Sequence, residues 1–270
     1  MAATSDDAPS RAKFPLGRKP VHCSGLKVLV HCVLGAAILA LLVACDDDTP
    51  SNEPYRMVSP SGGGMPHPAV LLVPGCSGFA AVNGINLYDE RAADLQVAGY
   101  FVVFVDYLGR RKQSNCGHVS KDEVGNDILD AATWTRGQSG VDPARISVIG
   151  WSYGGGGVLA ALRSMPPGLP TLTKAVVYYP DCRGATPWSA AGISVLMLLA
   201  TNDDVARPVL CDPVAKGAPA GSLRVIVYPD AYHGFDERSL PARAQYPFGT
   251  LGYNAEAAKA SWEAARDFIK

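Results

Sequence analysis

Six strand-length runs in this chain are apolar nearly from end to end, and nothing else constrains its fold as strongly. They are AVLLV at 69–73, YFVVFVD at 100–106, RISVIG at 145–150, KAVVYYP at 174–180, ISVLMLLA at 193–200 and LRVIVYP at 223–229. A strand with one wet face alternates polar and apolar residues. A run that is apolar throughout has to be covered on both faces, which is the condition of a parallel sheet between helix layers. The intervening segments supply helices. In NLYDERAADLQVAG (86–99) and KDEVGNDILDAATWTRGQ (121–138) the apolar residues return at helical spacing, YGGGGVLAALRSM (153–165) opens a third helix, and NAEAAKASWEAARDFIK (254–270) is a closing amphipathic helix. Between the later strands the helical pattern is thin and the chain reads as loop. The expectation is an α/β domain with a mostly parallel sheet and helices on both faces.

Such sheets bind ligands beyond the carboxyl ends of their strands. Residues that directly follow each apolar run are therefore the ones to inspect. Gly150-Trp151-Ser152-Tyr153-Gly154 follows one run and begins a helix. This is G-x-S-x-G in the context of a nucleophile elbow, a turn so tight that its flanking residues must lack side chains. Ser152 would stand at a helix N-terminus, where free N–H groups favour developing negative charge. A serine hydroxyl needs a base. In this arrangement the order along the chain is serine, acid, histidine. Among the five histidines only His233 follows Ser152, just beyond the last apolar run in YPDAYHGFD. The acid that would orient it must lie between them, and Asp203 and Asp204 in ATNDDVARP follow a strand directly. Asp203 is preferred, with Asp204 close behind.

Together these segments resemble the dienelactone hydrolase family of α/β-hydrolases. The resemblance runs over nearly all of 69–270, through VLLVPGCSGF, GYFVVFVDYLGRR, VDPARISVIGWSYGGGGVL, VVYYPDC, LLATNDDVARPVLC and VIVYPDAYHGFD. It implies an α/β-hydrolase domain without a cap, acting on a small-molecule ester or lactone with no cofactor and no metal. By position Ser152 falls at the nucleophile, His233 at the base and Asp203 at the acid. The backbone N–H groups of Tyr153 and Cys76 fall at the oxyanion hole. Arg110 matches one of the family's substrate-carboxylate arginines, and Trp151 is a candidate to line the cleft. Two departures stand out. The nucleophile is serine where the dienelactone hydrolases proper have cysteine, and Gly75 replaces their glutamate in the first strand–helix loop. The second carboxylate-binding arginine is displaced to Arg238, with Glu237 in its expected place.

The N-terminal stretch reads as a targeting signal. Basic residues precede an apolar run at 28–44 that ends in Leu42-Val43-Ala44-Cys45 and is followed by three aspartates. This resembles a bacterial lipobox, with 1–44 as signal peptide and Cys45 lipidated; an uncleaved membrane anchor is the competing reading. Either places the chain in the periplasm or cell envelope, and Asp46 favours the inner membrane. Residues 45–68 are rich in Pro, Gly and Ser and read as a flexible tether, with a short edge strand at 55–58. Cys76, Cys116, Cys182 and Cys211 remain, an even number in an oxidising compartment. All four follow strands; three pairings are possible, and the one expected is Cys76–Cys116 with Cys182–Cys211. A net charge of −1 gives no basic face for nucleic acid. The reading is thus a membrane-tethered ester or lactone hydrolase. An acyltransferase on the same triad, or a catalytically inactive envelope protein on the same fold, are the alternatives.

Overall fold

The computed structural model describes residues 53–166, 172–189 and 192–270. Cys45, the signal segment and the first part of the expected tether lie outside the described residues. Seven strands form one sheet in the order β1-β3-β2-β4-β5-β6-β7. They are β1 (Arg56–Val58), β2 (His67–Val73), β3 (Phe101–Phe104), β4 (Val141–Trp151), β5 (Lys174–Tyr178), β6 (Ser194–Ala200) and β7 (Leu223–Tyr228). All neighbours from β3 to β7 pair in parallel, and β1 alone runs antiparallel, against β3.

Because successive side chains of a strand point to opposite faces, each apolar run feeds two cores at once. Leu71, Val148, Val177 and Met197 face one side, where Ile128 of α2 (Lys121–Arg136) and Leu159 of α3 (Ser152–Ser164) cover them. Val70, Leu72, Ile149, Val176 and Leu198 face the other, under Leu95 of α1 (Leu87–Val97) and Trp262 of α5 (Ala255–Ile269). The α/β architecture expected from the strand runs, a mostly parallel sheet with helices on both faces, is therefore present. Where the helical pattern was thin the structure is also thin. The described residues between β5 and β6 hold no helix, and β6 reaches β7 through α4 (Asp212–Gly217), six residues long.

The short edge strand expected at 55–58 is present as β1, which pairs with β3 through Val58↔Val102. The far end of the expected tether is corrected, since Tyr55 is buried with its ring on Trp134 and β2 already begins at His67. The composition suggested a linker, but one buried tyrosine and three paired residues tie the segment down. Residues 242–253 fold back as a hairpin, β8 (Ala244–Tyr246) with β9 (Gly249–Leu251).

The register aligns the carboxyl ends. Val73 pairs with Gly150, Trp151 with Tyr178, Tyr178 with Leu198 and Ala200 with Tyr228. Gly75, Ser152, Asp203 and His233 leave the sheet along that one edge, within a few residues of its end.

Candidate active site

Ser152 sits at the junction of β4 and α3 with φ of 50°, in the left-handed region. A non-glycine residue there is strained by about 1–2 kcal/mol. The flanking glycines are steric necessities. A Cβ on Gly154 would lie 2.2 Å from the Pro74 carbonyl oxygen, and one on Gly150 would lie 2.7 Å from Val158. The next three glycines also permit close approach. Gly155 lies against Pro180, Gly156 against the Asp181 carbonyl and Lys121, and Gly157 against Val124 of α2. They seat the helix on its neighbour and on the loop after β5.

The structure brings Ser152, His233 and Asp203 into one hydrogen-bonded line. His233 Nε2 is 2.8 Å from Ser152 Oγ, and His233 Nδ1 is 2.8 Å from Asp203 Oδ2. An ionised carboxylate only accepts, so Nδ1 carries the hydrogen and Nε2 is left to accept from the serine hydroxyl. Asp203 is itself fixed, its Oδ1 taking the N–H groups of Val205 and Ala206 at 2.9 and 2.8 Å. Both His233 and Asp203 are buried, and the Tyr179 ring lies 4.6 Å from the imidazole, centroid to centroid. The neighbouring Asp204 points away. Its Oδ1 accepts the Thr250 N–H at 2.6 Å and its Oδ2 the Thr250 hydroxyl at 2.9 Å, anchoring the β8–β9 hairpin. Those bonds, the backbone one foremost, hold the Asp204 carboxyl below its ordinary range.

Two backbone donors flank Ser152. α1, α2 and α5 each begin with a side-chain cap, from Asn86, Ser120 and Asn254, whereas α3 begins at Trp151 without one. The Tyr153 N–H, in the first turn, thus has no acceptor inside its helix. The second donor is in the loop after β2, where a Cβ on Gly75 would stand 3.6 Å from Ser152 Cβ. The Cys76 N–H has no hydrogen-bond acceptor among the described residues. The loop is tied to Cys116 by the expected disulfide, Cα atoms 4.7 Å apart. The second expected bridge, Cys182–Cys211, is also present at 5.1 Å.

Two candidates fall outside the site. Trp151 is 1% exposed, donates its indole N–H to Asp236 Oδ2 at 3.0 Å and stacks on Tyr178. It is core, because the residue before Ser152 is still in the strand and its side chain joins the cluster under α1 and α5. Arg110 donates to the Tyr55 hydroxyl at 2.7 Å and faces Asp127 at 3.8 Å; no bond joins it to the three aligned residues. Arg238 is likewise engaged, by Glu90 at 2.7 and 3.0 Å.

Sequence reasoning missed the group behind the histidine. Buried Asp236 accepts from Trp151 and from the Tyr179 hydroxyl at 2.6 Å, with Arg91 3.7 Å away. The signal was present as the last letter of HGFD, a carboxylate three residues past the histidine. Burial and the nearby Asp236 push the Tyr179 hydroxyl well above its ordinary range, so it stays a donor.

A family model, dienelactone hydrolase family, matches residues 55–270. Two curated relatives, both uncharacterised Mycobacterium tuberculosis proteins from different strains, are 27% identical over 197 residues, covering 66% of this chain and 67% of theirs. Among solved structures, a putative dienelactone hydrolase from Klebsiella pneumoniae superposes with a TM-score of 0.63 at 18% identity, over 79% of this chain and 90% of that one. A dienelactone hydrolase-like promiscuous phosphotriesterase from metagenomic libraries gives 0.56 at 22% identity, over 77% and 88%. A thermophilic esterase from Thermogutta terrifontis gives 0.55 at 14% identity, over 80% and 88%.

Proposed function

The chain belongs to the dienelactone hydrolase family of α/β-hydrolases, and on that premise we propose that it hydrolyses carboxylic esters or lactones through an acyl-enzyme on Ser152. The observation that carries this reading is the unbroken line from Ser152 Oγ through the His233 ring to Asp203. His233 Nε2 takes the hydroxyl proton as Oγ bonds to the substrate carbonyl carbon. The carbonyl oxygen becomes an oxyanion between the N–H groups of Tyr153 and Cys76. On collapse the ester bond breaks, and imidazolium returns the proton to the departing alkoxide. Water then repeats the cycle on the acyl carbon, giving the acid and free serine. Asp203 stays ionised and stabilises the imidazolium.

The chemistry of the surroundings favours an uncharged acyl group. Arg110 and Arg238, the arginines that would hold a substrate carboxylate, are each paired with acids of the protein itself. By position Glu237, not an arginine, stands where the second of them would be. The substrate class is therefore a neutral ester or lactone, in contrast to the anionic lactone of the family's name. The test is labelling by a fluorophosphonate probe, together with hydrolysis of p-nitrophenyl esters of graded chain length. Wild type is expected to label and to turn over, and Ser152→Ala to do neither; a folded wild type that takes no label would sink the reading.

The cellular address belongs to the same proposal. It rests on the Leu42-Val43-Ala44-Cys45 sequence behind a basic segment, and the two disulfides support an oxidising compartment. Incorporation of a labelled fatty acid by the full chain, lost in Cys45→Ser, is the expected outcome; equal incorporation by both would place any lipid elsewhere.

A further inference from the structure

The Gly75–Cys76 peptide beside Ser152 is held by residues that make no hydrogen bond to Ser152, His233 or Asp203 side chains. Gly75 donates its N–H to the Tyr88 hydroxyl at 2.9 Å, and its carbonyl accepts the Tyr107 hydroxyl at 2.7 Å and, more loosely, the Gly78 N–H at 3.1 Å. One residue on, the Cys76 carbonyl takes the Cys116 N–H at 3.1 Å, beside the disulfide. In a trans peptide the C=O and the following N–H lie in one plane and point in opposite directions. Fixing the Gly75 carbonyl therefore fixes the Cys76 N–H, which is the one backbone polar group of this residue pair left without a partner among the described residues.

We propose that Tyr107 is a positioning residue for the oxyanion hole: its hydroxyl, through the Gly75 carbonyl, aims the Cys76 N–H at the oxygen that becomes negative. This rests on the acyl-enzyme reading of Ser152. Tyr107 is 0% exposed, so it reaches no substrate; its hydroxyl bonds the Gly75 carbonyl, and its ring packs beside that of Tyr153, 6.5 Å between centroids. Burial also drives its hydroxyl far above the ordinary tyrosine range, so the proton that binds Gly75 stays in place across the working pH range. Tyr88 completes the clamp from the other side. Its ring is held edge-on by Trp151 and Phe79, and it governs the preceding Pro74–Gly75 peptide. A preorganised donor works because no reorganisation is needed as charge develops. A donor whose peptide can rock loses part of that advantage in the transition state and little in the ground state.

The test uses Tyr107→Phe, which removes one hydroxyl and keeps the ring, with Tyr88→Phe as the second variant should the first fail to fold. The readouts are kcat and KM on a p-nitrophenyl ester, and the rate ratio between an ester and the matching thionoester, whose larger, weakly accepting sulfur fits a rigid hole poorly. Removing a whole oxyanion donor slows such enzymes by about 10²–10³. Loosening one is expected to lower kcat by about 10- to 100-fold with KM within about twofold, and to shrink the ester-to-thionoester ratio. The melting temperature and the two disulfides are checked in parallel. Unchanged kcat and ratio in a folded variant overturn the proposal while leaving Ser152 as nucleophile intact. A wild type inert to both esters and fluorophosphonate overturns the nucleophile reading itself, and this inference with it.

Discussion

Asp204 is bonded through both carboxylate oxygens to Thr250, while Asp203, one residue earlier, faces His233. Adjacent side chains leaving a strand diverge, and the two aspartates thereby take separate tasks. Asp203→Asn is expected to lower kcat by about 10³–10⁴, since the imidazole loses the partner that sets its tautomer. Asp204→Ala is expected to leave kcat within about threefold and to destabilise the fold by roughly 1–2 kcal/mol through the hairpin bonds it breaks. Kinetics and denaturant melts on the pair separate the roles; the reverse pattern would reassign the acid.

The strained conformation of Ser152 gives a second expectation. Alanine and glycine both remove the nucleophile, but only glycine tolerates φ of 50° without penalty. Ser152→Gly should be more stable than Ser152→Ala by about 1 kcal/mol. At this chain size that is about 2–4 °C in Tm. Equal melting temperatures would mean the elbow relaxes when its hydroxyl is lost.

Glu237 should make stability fall as pH rises. Burial pushes its carboxyl above the ordinary glutamate range, against the opposing bonds from Ser239, and the charges of Asp236 and Glu90 push the same way. The folded protein then holds this proton to higher pH than the unfolded chain does. Between the unfolded and folded pKa the native state binds more protons, and raising pH removes stability. Glu237→Gln keeps an oxygen for Ser239 and is expected to unfold at higher temperature than wild type at pH 7, with the difference vanishing near pH 4. Thermal melts across that range would show it.

The two disulfides are expected to contribute similarly to stability and differently to activity. They span 40 and 29 residues, and the loop-entropy estimate gives about 4 kcal/mol for each, differing by only about 0.3 kcal/mol. Replacing Cys182 and Cys211 together by serine should lower the denaturation midpoint with kcat little changed in the folded enzyme. Replacing Cys76 and Cys116 should lower both, because that bridge holds the loop beside Ser152.

The sequence alone determined the architecture, because burial on both faces leaves a physical mark on every central strand, whether or not its neighbours are known. It also determined Ser152 and His233, since an elbow demands glycines at fixed spacing and one histidine alone lay downstream. It narrowed the acid to two adjacent aspartates and could go no further. Which of the two meets the imidazole depends on the direction of a side chain as it leaves β6, and on a hairpin from more than forty residues away that occupies the other. The same limit governed Trp151 and Arg110, which sit at the right places along the chain and point elsewhere in space. Nothing in the sequence marks the task of the Tyr107 and Tyr88 hydroxyls. These act on a backbone carbonyl and a backbone N–H, groups every residue carries, so only the folded chain reveals that both meet at Gly75.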